Sequence, residues 1–473
     1  MEKLALATLR KYFGFSEFRD GQLEIVLAIL QRKDVLAILP TGGGKSLCFQ
    51  VPALALSGTT LVVSPLISLM KDQVDHLLAK NIAASYLSSN LDKSEIEIRL
   101  RKLGEGAYKL FYVAPERLSN QHLVAICQKL EIPLLVVDEA HCISLWGHQF
   151  RPSYQKIPEF IKKIDQKRKK IVTAAFTATA NAQTKKEIKH FLNIDHAQEF
   201  AHGFIRSNLI FHNIICPSLF AKNTWLFKLL KDHHSDNIII YCATRKACEQ
   251  LLKIIQSLDF HKRYQLAVYH GGLEKEQREI AQDLFLKSKI KIMIATNAFG
   301  MGVDKSDVRV IIHYQLSANL ENYYQEAGRA GRDGQTSYAY LLYQEADVLI
   351  QRGMLIASCQ GAVGDRLQVE LNKLELMRQY AISHTCLQDK IAKYFGDHDQ
   401  NNICANCQFC LRRHLDLNQN ELDFIDEDHH PALTIQQLEL AAILEPRSLD
   451  DWKRLPGVGS GIIDAYANQT ISR

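Results

Sequence analysis

A short apolar run that leads into a glycine-rich turn and a lysine constrains the fold of this chain more than any other feature. Val35 to Leu39 precedes Pro40-Thr41-Gly42-Gly43-Gly44-Lys45-Ser46, and a second apolar segment comes after it. Glycines let successive backbone N–H groups face a phosphate, a lysine reaches the outer phosphates, and a serine hydroxyl ligates Mg²⁺. Leu39 stands where the strict pattern has its first glycine, but the sequence still predicts a strand, a phosphate-binding loop and a helix. The predicted phosphate or metal contacts are Thr41, Gly42, Gly43, Gly44, Lys45 and Ser46.

The change from strand to helix recurs along most of the chain. Short β-branched runs alternate with amphipathic stretches in two successive series, which predicts two tandem α/β domains built on parallel sheets. Residues 200–210 lack a clear period and are the candidate hinge between the domains. The predicted strands are Asp34–Leu39, Thr60–Val63, Lys109–Val113, Pro133–Val137, Ile171–Phe176, Asn237–Tyr241, Gln265–Tyr269, Lys291–Ala295 and Val308–His313.

Length and composition limit the classes of protein to consider. A chain of 473 residues is expected to hold about three domains. With 47% hydrophobic and 23% charged residues it is globular rather than disordered. A net charge of +5 suits a polyanionic partner without demonstrating one. The first residues do not form a signal-peptide core, and no run reaches the roughly 18 apolar residues of a membrane helix, so we expect a soluble protein without a membrane partner.

Two acidic residues come directly after the apolar run Leu134 to Val137 and form a second candidate site. They are Asp138 and Glu139. At the carboxyl end of a buried strand, Asp138 is expected to hold Mg²⁺, and Glu139 is expected to orient and deprotonate an attacking water. Adjacent acids at such a place also serve as helix N-caps, and their occurrence together with Lys45 favours the catalytic interpretation.

A pair of arginines forms a third candidate site, near the end of the second alternating series. Arg329 and Arg332 lie within the stretch Tyr324 to Gly334 and are expected on one face of a helical turn. Such arginines can stabilise charge that develops on a transferred phosphoryl group, as an arginine finger does. The alternative interpretation is an exposed basic turn.

Four of the eleven cysteines are grouped towards the C-terminal end. Two residues separate Cys404 from Cys407 and Cys407 from Cys410, and Cys386 lies upstream of all three. Four thiolates complete a closed tetrahedral site for structural Zn²⁺. An iron–sulfur cluster uses the same ligands and remains the alternative.

With these motifs in place, the sequence resembles the RecQ family of superfamily 2 helicases over about residues 10–410. The resemblance implies an α/β fold with two tandem RecA-like parallel-sheet domains, a helical zinc-binding domain and a small helical C-terminal piece. Further motifs match in the same order at Val63 to Gln73, Phe176 to Ala180, Ile240 to Cys242, Tyr269 to Leu273 and Ala295 to Asp304. The implied domains are 1–204, 205–344 and 345–412, with an acidic linker at 413–431 and a partial HRDC-like tail at 432–473.

The resemblance also implies roles for residues outside the first three sites. Phe15, Arg19 and Gln22 would recognise the adenine of a nucleotide, with Phe15 standing where the family usually has a tyrosine. Residues implied to line the nucleotide site from the second domain are Gly302, Asp304 and Gln325, and residues implied to contact DNA are Ser64 and Pro65.

An aromatic-rich loop after the two carboxylates is the most discriminating part of the resemblance. Trp146 and Phe150 offer ring faces for unpaired bases, and Arg151 can meet a phosphate or stack on a base. Aromatic residues near the end of a strand otherwise belong to a core. Leu145 and Gln149 replace the glutamine and the aspartate that the family usually has.

The C-terminal part departs most from the family. After Cys410 a bacterial relative continues into a winged-helix domain, which we expect to be absent here. The segment Leu433 to Arg473 resembles the latter part of an HRDC domain and contains Gly457-Val458-Gly459. This turn can bind a DNA phosphate through its backbone or be merely structural, and the sequence supports both interpretations equally.

The function that the resemblance implies is ATP-dependent DNA unwinding, with 3′ to 5′ translocation on single-stranded DNA, in repair or recombination. ATP, Mg²⁺ and Zn²⁺ are the implied cofactors. Single-stranded and tailed duplex DNA are the implied partners, and a single-strand-binding protein or a repair protein is a further candidate. The expected location is the bacterial cytoplasm, at the nucleoid. An RNA helicase, a translocase that does not unwind, or an ATP-gated DNA-binding scaffold would use the same motifs.

Overall fold

A computed structural model describes residues 1–40, 42–143, 151–165, 170–257, 265–300, 305–359, 366–397 and 404–415 of the chain. The chain divides into two compact units. The first consists of Met1–Arg206 and Ile391–Gln400, and the second of Ser207–Lys390 and Asn401–Arg473. Five predicted site residues lie outside the described residues: Thr41, Trp146, Phe150, Gly302 and Asp304. The chain from residue 416 onward lies outside them as well.

The first unit is built on a seven-stranded parallel sheet in the order β3-β4-β2-β5-β6-β1-β7. Its strands are β1 Val35–Ile38, β2 Thr60–Val63, β3 Ala84–Leu87, β4 Leu110–Val113, β5 Leu134–Val137, β6 Val172–Thr177 and β7 Gln198–Ala201. Its helices are α1 Glu2–Phe13, α2 Gln22–Leu30, α3 Lys45–Ala55, α4 Ile67–Ala79, α5 Lys93–Gly104, α6 Gln121–Cys127, α7 Ile157–Ile164 and α8 Ala182–Leu192. Short 3₁₀ helices occur at Pro115–Ser119, Ala140–Ile143 and Pro152–Lys156.

The second unit is built on a six-stranded parallel sheet in the order β10-β11-β9-β12-β13-β8. Its strands are β8 Leu209–Ile215, β9 Asn237–Tyr241, β10 Leu266–Tyr269, β11 Ile292–Ala295, β12 Val308–His313 and β13 Ser337–Tyr343. The remaining helices are α9 Leu219–Asp232, α10 Arg245–Ser257, α11 Lys275–Leu286, α12 Leu320–Ala327, α13 Ala346–Ser358, α14 Arg366–Ala381, α15 Leu387–Phe395 and α16 Gln408–Leu415.

The two sheets share one strand order. When the strands of each sheet are counted from its own first strand, both read 3-4-2-5-6-1, and the first sheet adds β7 beside β1. The inner strands are apolar along their whole length because helices cover both faces of such a sheet, as in the fully buried β1, β2, β4 and β5. Parallel strands bring their carboxyl ends to one edge, so the loops that leave these ends meet there.

All nine predicted strands are present, each with ends within two residues of the prediction. Four strands were not predicted, and three of them, β3, β7 and β8, lie at sheet edges. Edge strands need fewer apolar residues, and β7 exposes Gln198 and Glu199. The predicted hinge at 200–210 was too wide, because its ends belong to β7 and β8 and only residues 202–208 connect them.

Helices dominate the described residues after β13, as predicted, with α13 to α16 extending from Ala346 to Leu415. Each sheet has its own apolar core: the first includes Val62, Tyr112 and Phe176, and the second includes Ile240, Ile294 and Ile312. Within the described residues, none of the helices has the length and apolarity that crossing a membrane requires.

Candidate nucleotide and metal sites

The glycine-rich segment forms the predicted turn between a strand and a helix. β1 ends at Ile38, and α3 begins at Lys45 directly after Gly44. Gly44 has φ 75°, a left-handed conformation that favours glycine, and a Cβ at this position would lie 2.3 Å from the Gln22 Nε2 atom and displace it. Among the residues that the structure describes, no side chain caps the N-terminus of α3. Its first N–H groups and its positive dipole end are therefore available to an anion, as a phosphate-binding loop requires.

Two of the three residues predicted to recognise adenine contact this loop directly. Arg19 Nη1 donates to the Gly42 carbonyl at 2.8 Å, and Gln22 Nε2 donates to the Gly43 carbonyl at 2.9 Å. The Gln22 Oε1 atom in turn accepts a hydrogen bond from the Arg19 backbone N–H at 3.0 Å. Phe15 exposes 53% of its surface and is open to a planar ring. Arg19, which precedes α2, and Gln22, the first residue of α2, thus hold the phosphate loop, a role that was not apparent from the sequence.

Asp138 lies immediately after β5, at the same edge of the sheet. Its backbone N–H donates to the Val63 carbonyl at 2.9 Å, and the Ser64 hydroxyl donates to its Oδ2 at 3.4 Å. Burial and the charge of Glu139 raise the pKa of Asp138 to about 6, although Lys45 acts to lower it. A divalent cation beside this half-buried carboxylate would offset the cost of removing it from water, so the residue fits the predicted Mg²⁺ ligand.

Glu139 is held by its backbone and by a histidine. It has φ 47°, a left-handed conformation that is strained for any residue with a Cβ. Its Oε2 lies 3.2 Å from His141 Nδ1, and the same nitrogen lies 2.8 Å from the Thr177 hydroxyl at the end of β6. Burial acts to lower the pKa of His141, but hydrogen bonds to Cys142 and Glu139 outweigh it and raise that pKa well above its usual value.

Three of the five residues predicted to contact DNA are described, and they lie together. Arg151 Nη1 donates to the Pro65 carbonyl at 2.7 Å, and Pro65 comes directly after the buried Ser64. One donor of Arg151 is thus used within the described part of the chain, and a guanidinium group offers further N–H donors that could meet a phosphate. This contact joins two motifs 86 residues apart, and no local pattern in the sequence indicates it.

The two arginines occupy turns that come after α12. Helical-type turn hydrogen bonds continue past α12 through Arg329 and Ala330, as predicted for Arg329. The prediction was wrong for Arg332, because Gly331 has φ 62°, which ends helical geometry before it. Arg329 is buried and its Nη1 donates to the Gly300 carbonyl; a Cβ on Gly300 would lie 2.3 Å from Arg329 Nη2. Arg332 is half-buried, as is Gln325 in α12.

A buried network fixes α12 to β12. His313 Nε2 lies 2.9 Å from Glu326 Oε2, and the Ser317 hydroxyl donates to the same oxygen at 3.2 Å. All three side chains are buried. The network was missed from the sequence because nothing local links a histidine in a strand to a glutamate thirteen residues later.

The four grouped cysteines converge. The Sγ atoms of Cys386, Cys404, Cys407 and Cys410 all lie within 4.8 Å of one another. Two of the pairs, Cys404 with Cys410 and Cys386 with Cys407, are each 3.9 Å apart. Backbone N–H groups point at three of these sulfurs: Cys404 N to Cys386 at 3.3 Å, Leu387 N to Cys407 at 3.4 Å, and Asn406 N to Cys404 at 3.4 Å. Such donors stabilise thiolates.

Three known protein domains match the chain in succession. A DEAD/DEAH box helicase domain matches residues 19–188, a helicase conserved C-terminal domain matches residues 221–334, and a RecQ zinc-binding domain matches residues 345–411. The ATP-dependent DNA helicase RecQ of Bacillus subtilis is 41% identical over 86% of this chain and 66% of its own length. The probable ATP-dependent DNA helicase RecS of the same organism is 38% identical over 74% of this chain and 68% of its own length.

The chain belongs to the RecQ family of helicases. It spans 66% of the length of the first of these relatives. A crystal structure of the helicase MrfA bound to DNA and AMPPNP has a TM-score of 0.59 at 17% identity and covers 88% of this chain and 60% of its own. At that identity the likeness concerns the fold, and the two parallel sheets of this RecQ-family chain are RecA-like domains.

The RecQ zinc-binding domain is where the four cysteines lie. With Zn–S bonds of about 2.3 Å, a tetrahedral site separates its sulfurs by about 3.8 Å. The two 3.9 Å pairs match that separation, and four sulfur donors without a carboxylate suit Zn²⁺ rather than Mg²⁺ or Ca²⁺. The residues present therefore fit the zinc that the family implies, and they would hold it as a closed structural site.

Proposed function

We propose that the chain hydrolyses ATP and uses the energy to move 3′ to 5′ along single-stranded DNA and unwind duplexes, in DNA repair or recombination. The observation that carries the proposal is the meeting of an uncapped helix N-terminus with Lys45, Asp138 and Glu139 at one edge of a single sheet. A phosphate site, a metal carboxylate and a base in that arrangement are the groups that nucleotide hydrolysis requires.

The roles within the site derive from the positions of its groups. The N–H groups of Gly42 and of Gly44 to Ser46 would hold the phosphates with the Lys45 ammonium, while the Gly43 N–H donates to the Pro40 carbonyl at 2.9 Å. Ser46 with Asp138 would hold Mg²⁺, which neutralises phosphate charge when bound. Glu139, fixed through His141, would orient and deprotonate the attacking water. Arg329 and Arg332 would stabilise charge on the transferred phosphoryl group, with Thr41, Gly302, Asp304 and Gln325 completing the nucleotide site.

A DNA substrate is supported by the contact of Arg151 with Pro65, next to Ser64, and by the names of the two Bacillus subtilis relatives, an ATP-dependent DNA helicase and a probable one. Trp146 and Phe150 would stack on unpaired bases. Bacterial relatives support a cytoplasmic location, and single-strand-binding or repair proteins are the partners to examine first.

The experiment is ATP hydrolysis measured with and without single-stranded DNA, for the wild type and for Glu139→Gln. Loss of the base should lower the DNA-stimulated kcat about 10²-fold or more, with DNA binding retained. Glu159→Gln is the matched control. Glu159 is an exposed glutamate of α7, and within the described part of the chain its one ion pair is with Lys163, at 2.7 Å. Undiminished turnover in Glu139→Gln would contradict the proposal.

The nucleic acid added to the same assay separates the alternatives. Stronger stimulation by RNA than by DNA of the same sequence would favour an RNA helicase. Stimulation by DNA without any strand separation would favour a non-unwinding translocase or an ATP-gated scaffold.

A further inference from the structure

Tyr154 is a buried residue to which the proposed chemistry assigns no role. It lies in the short 3₁₀ helix Pro152–Lys156 and has no solvent-exposed surface. Its hydroxyl donates to the backbone carbonyl of Asp138 at 2.8 Å. This hydrogen bond therefore ends on the backbone of the residue that we propose as a ligand of Mg²⁺.

The bonded carbonyl belongs to the peptide unit between the two carboxylate residues. β5 ends at Val137, so the Asp138 carbonyl has left the strand pairing. The N–H of the same peptide unit, that of Glu139, donates to Asp138 Oδ1 at 2.9 Å. The hydroxyl of the buried Tyr154 needs an acceptor, and it donates to this carbonyl. The tyrosine hydroxyl thus fixes the plane of the peptide that carries both carboxylates.

This peptide leads into strained backbone. Glu139 has φ 47°, which persists in a residue with a Cβ only when its surroundings hold it there. Tyr154 holds the peptide before Glu139 through the Asp138 carbonyl, and His141 holds the Glu139 carboxylate at 3.2 Å. Without the hydroxyl, this peptide keeps only the hydrogen bond of its N–H to Asp138 Oδ1, so it can rotate more easily towards a relaxed conformation and shift the Glu139 side chain.

The other side of Tyr154 leads to the predicted DNA contacts. Its backbone N–H donates to the Arg151 carbonyl at 2.9 Å. Arg151 reaches the Pro65 carbonyl at 2.7 Å through its side chain and the Cys142 carbonyl at 3.1 Å through its backbone N–H. A chain of hydrogen bonds therefore runs from Pro65 through Arg151 and Tyr154 to Asp138, all within the first unit.

We propose that Tyr154 is a positioning residue for hydrolysis: its hydroxyl sets the peptide between Asp138 and Glu139 and links it, through Arg151, to the segment that contacts DNA. This inference rests on the proposed function and names a residue that acts through the two carboxylates without touching nucleotide. A positioning role differs from a purely structural role in its measurable effect: removing the Tyr154 hydroxyl should lower the rate of hydrolysis more than it lowers the stability of the fold.

The test is Tyr154→Phe, which keeps the ring and its packing and removes the donor alone. The DNA-stimulated kcat should fall about tenfold, with KM for ATP and the affinity for single-stranded DNA changed by no more than about twofold. The Mg²⁺ concentration that gives half-maximal activity should rise, because Asp138 loses one of the hydrogen bonds that position it.

Tyr314→Phe is the matched control. Tyr314 is also buried, and its hydroxyl donates to Asn223 Oδ1 at 2.6 Å in the second unit. Both variants lose one buried donor, so both should lower the melting temperature, but Tyr314→Phe should leave kcat and the Mg²⁺ dependence unchanged.

The outcomes distinguish a failure of the positioning role of Tyr154 from a failure of the proposed function. If the wild type is active and Tyr154→Phe has the same kcat and Mg²⁺ dependence as Tyr314→Phe, the positioning role of Tyr154 is contradicted. The proposed function is then unaffected. If the wild type shows no DNA-stimulated ATP hydrolysis, the proposed function is contradicted, and the positioning role of Tyr154 is contradicted as well.

Discussion

The two sheets of this chain repeat one strand order and differ in the segments that leave the carboxyl ends of their strands. After the first strand of the first unit, α3 begins behind a left-handed glycine with no side-chain cap. After the first strand of the second unit, α9 begins behind Ser218, whose hydroxyl accepts the Ala221 N–H at 3.1 Å. The second helix satisfies its own N-terminus, while the first leaves its N–H groups for a ligand.

The fifth strands differ in the same way. β5 leads into Asp138 and Glu139, and β12 leads into Tyr314 and Gln315. The latter two bond within their own unit, Tyr314 to Asn223 at 2.6 Å and Gln315 to the Ala243 N–H at 3.0 Å. Among the described residues, the first unit carries the groups that we propose for phosphate and metal binding, and the second carries the two arginines that we propose to stabilise phosphoryl charge. A repeated scaffold therefore does not imply a repeated site.

The largest expected effect comes from removing the positive charge of Lys45 in the phosphate loop. Lys45→Ala should lower kcat for ATP hydrolysis at least about 10³-fold, because preorganised positive charge on the phosphates is lost. The matched change in the second sheet, Ser218→Ala, should cost about 1 kcal/mol of unfolding free energy through its lost N-cap and leave kcat unchanged. Steady-state kinetics and urea unfolding measure both. A Ser218→Ala variant that loses activity as Lys45→Ala does would break the comparison.

The second effect tests the chemical contribution of the second unit. Arg329→Ala should lower kcat about 10³-fold, since an arginine that stabilises phosphoryl charge contributes roughly 10³ to 10⁵ in rate. Arg329→Lys should have a similarly low kcat, because lysine lacks the planar guanidinium group that also donates to the Gly300 carbonyl.

Arg378→Ala serves as the control for this change, because Arg378 pairs with Glu375 at 3.0 Å on the surface of α14. Melting temperatures should be recorded for all three variants, as Arg329 is buried. Normal turnover in Arg329→Ala would show that the second unit supplies no catalytic charge through this residue.

The smallest effect on hydrolysis is expected at the cysteine cluster. Cys407→Ser should release the metal and lower the stability of the second unit, while kcat falls less than about tenfold, because the site is structural. Cys359→Ser, which alters a half-exposed cysteine outside the cluster, should keep the metal. Elemental analysis decides the outcome: zinc at one equivalent supports the assignment, iron with sulfide supports the alternative cluster, and a wild type without metal contradicts both.

Much of the fold was predictable because inner parallel strands are buried on both faces and read as apolar runs. The glycine loop and the carboxylates after β5 were predictable for a related reason, since their residue types are dictated by local chemistry. Edge strands such as β7 lack that pattern. The left-handed backbone at Glu139 and the turn geometry of Arg329 depend on distant packing. The hydrogen bond from Tyr154 to Asp138 joins a hydroxyl to a main-chain carbonyl, so it leaves no sequence pattern.

The most direct test of the central claim is strand separation by the wild type on two duplexes that differ only in the polarity of a single-stranded tail. ATP hydrolysis is measured in parallel, and Lys45→Ala serves as the inactive control. We expect ATP-dependent unwinding of the 3′-tailed duplex, little or none of the 5′-tailed duplex, and none with Lys45→Ala. Unwinding that is equal for both tails, or that persists in Lys45→Ala, would contradict the claim.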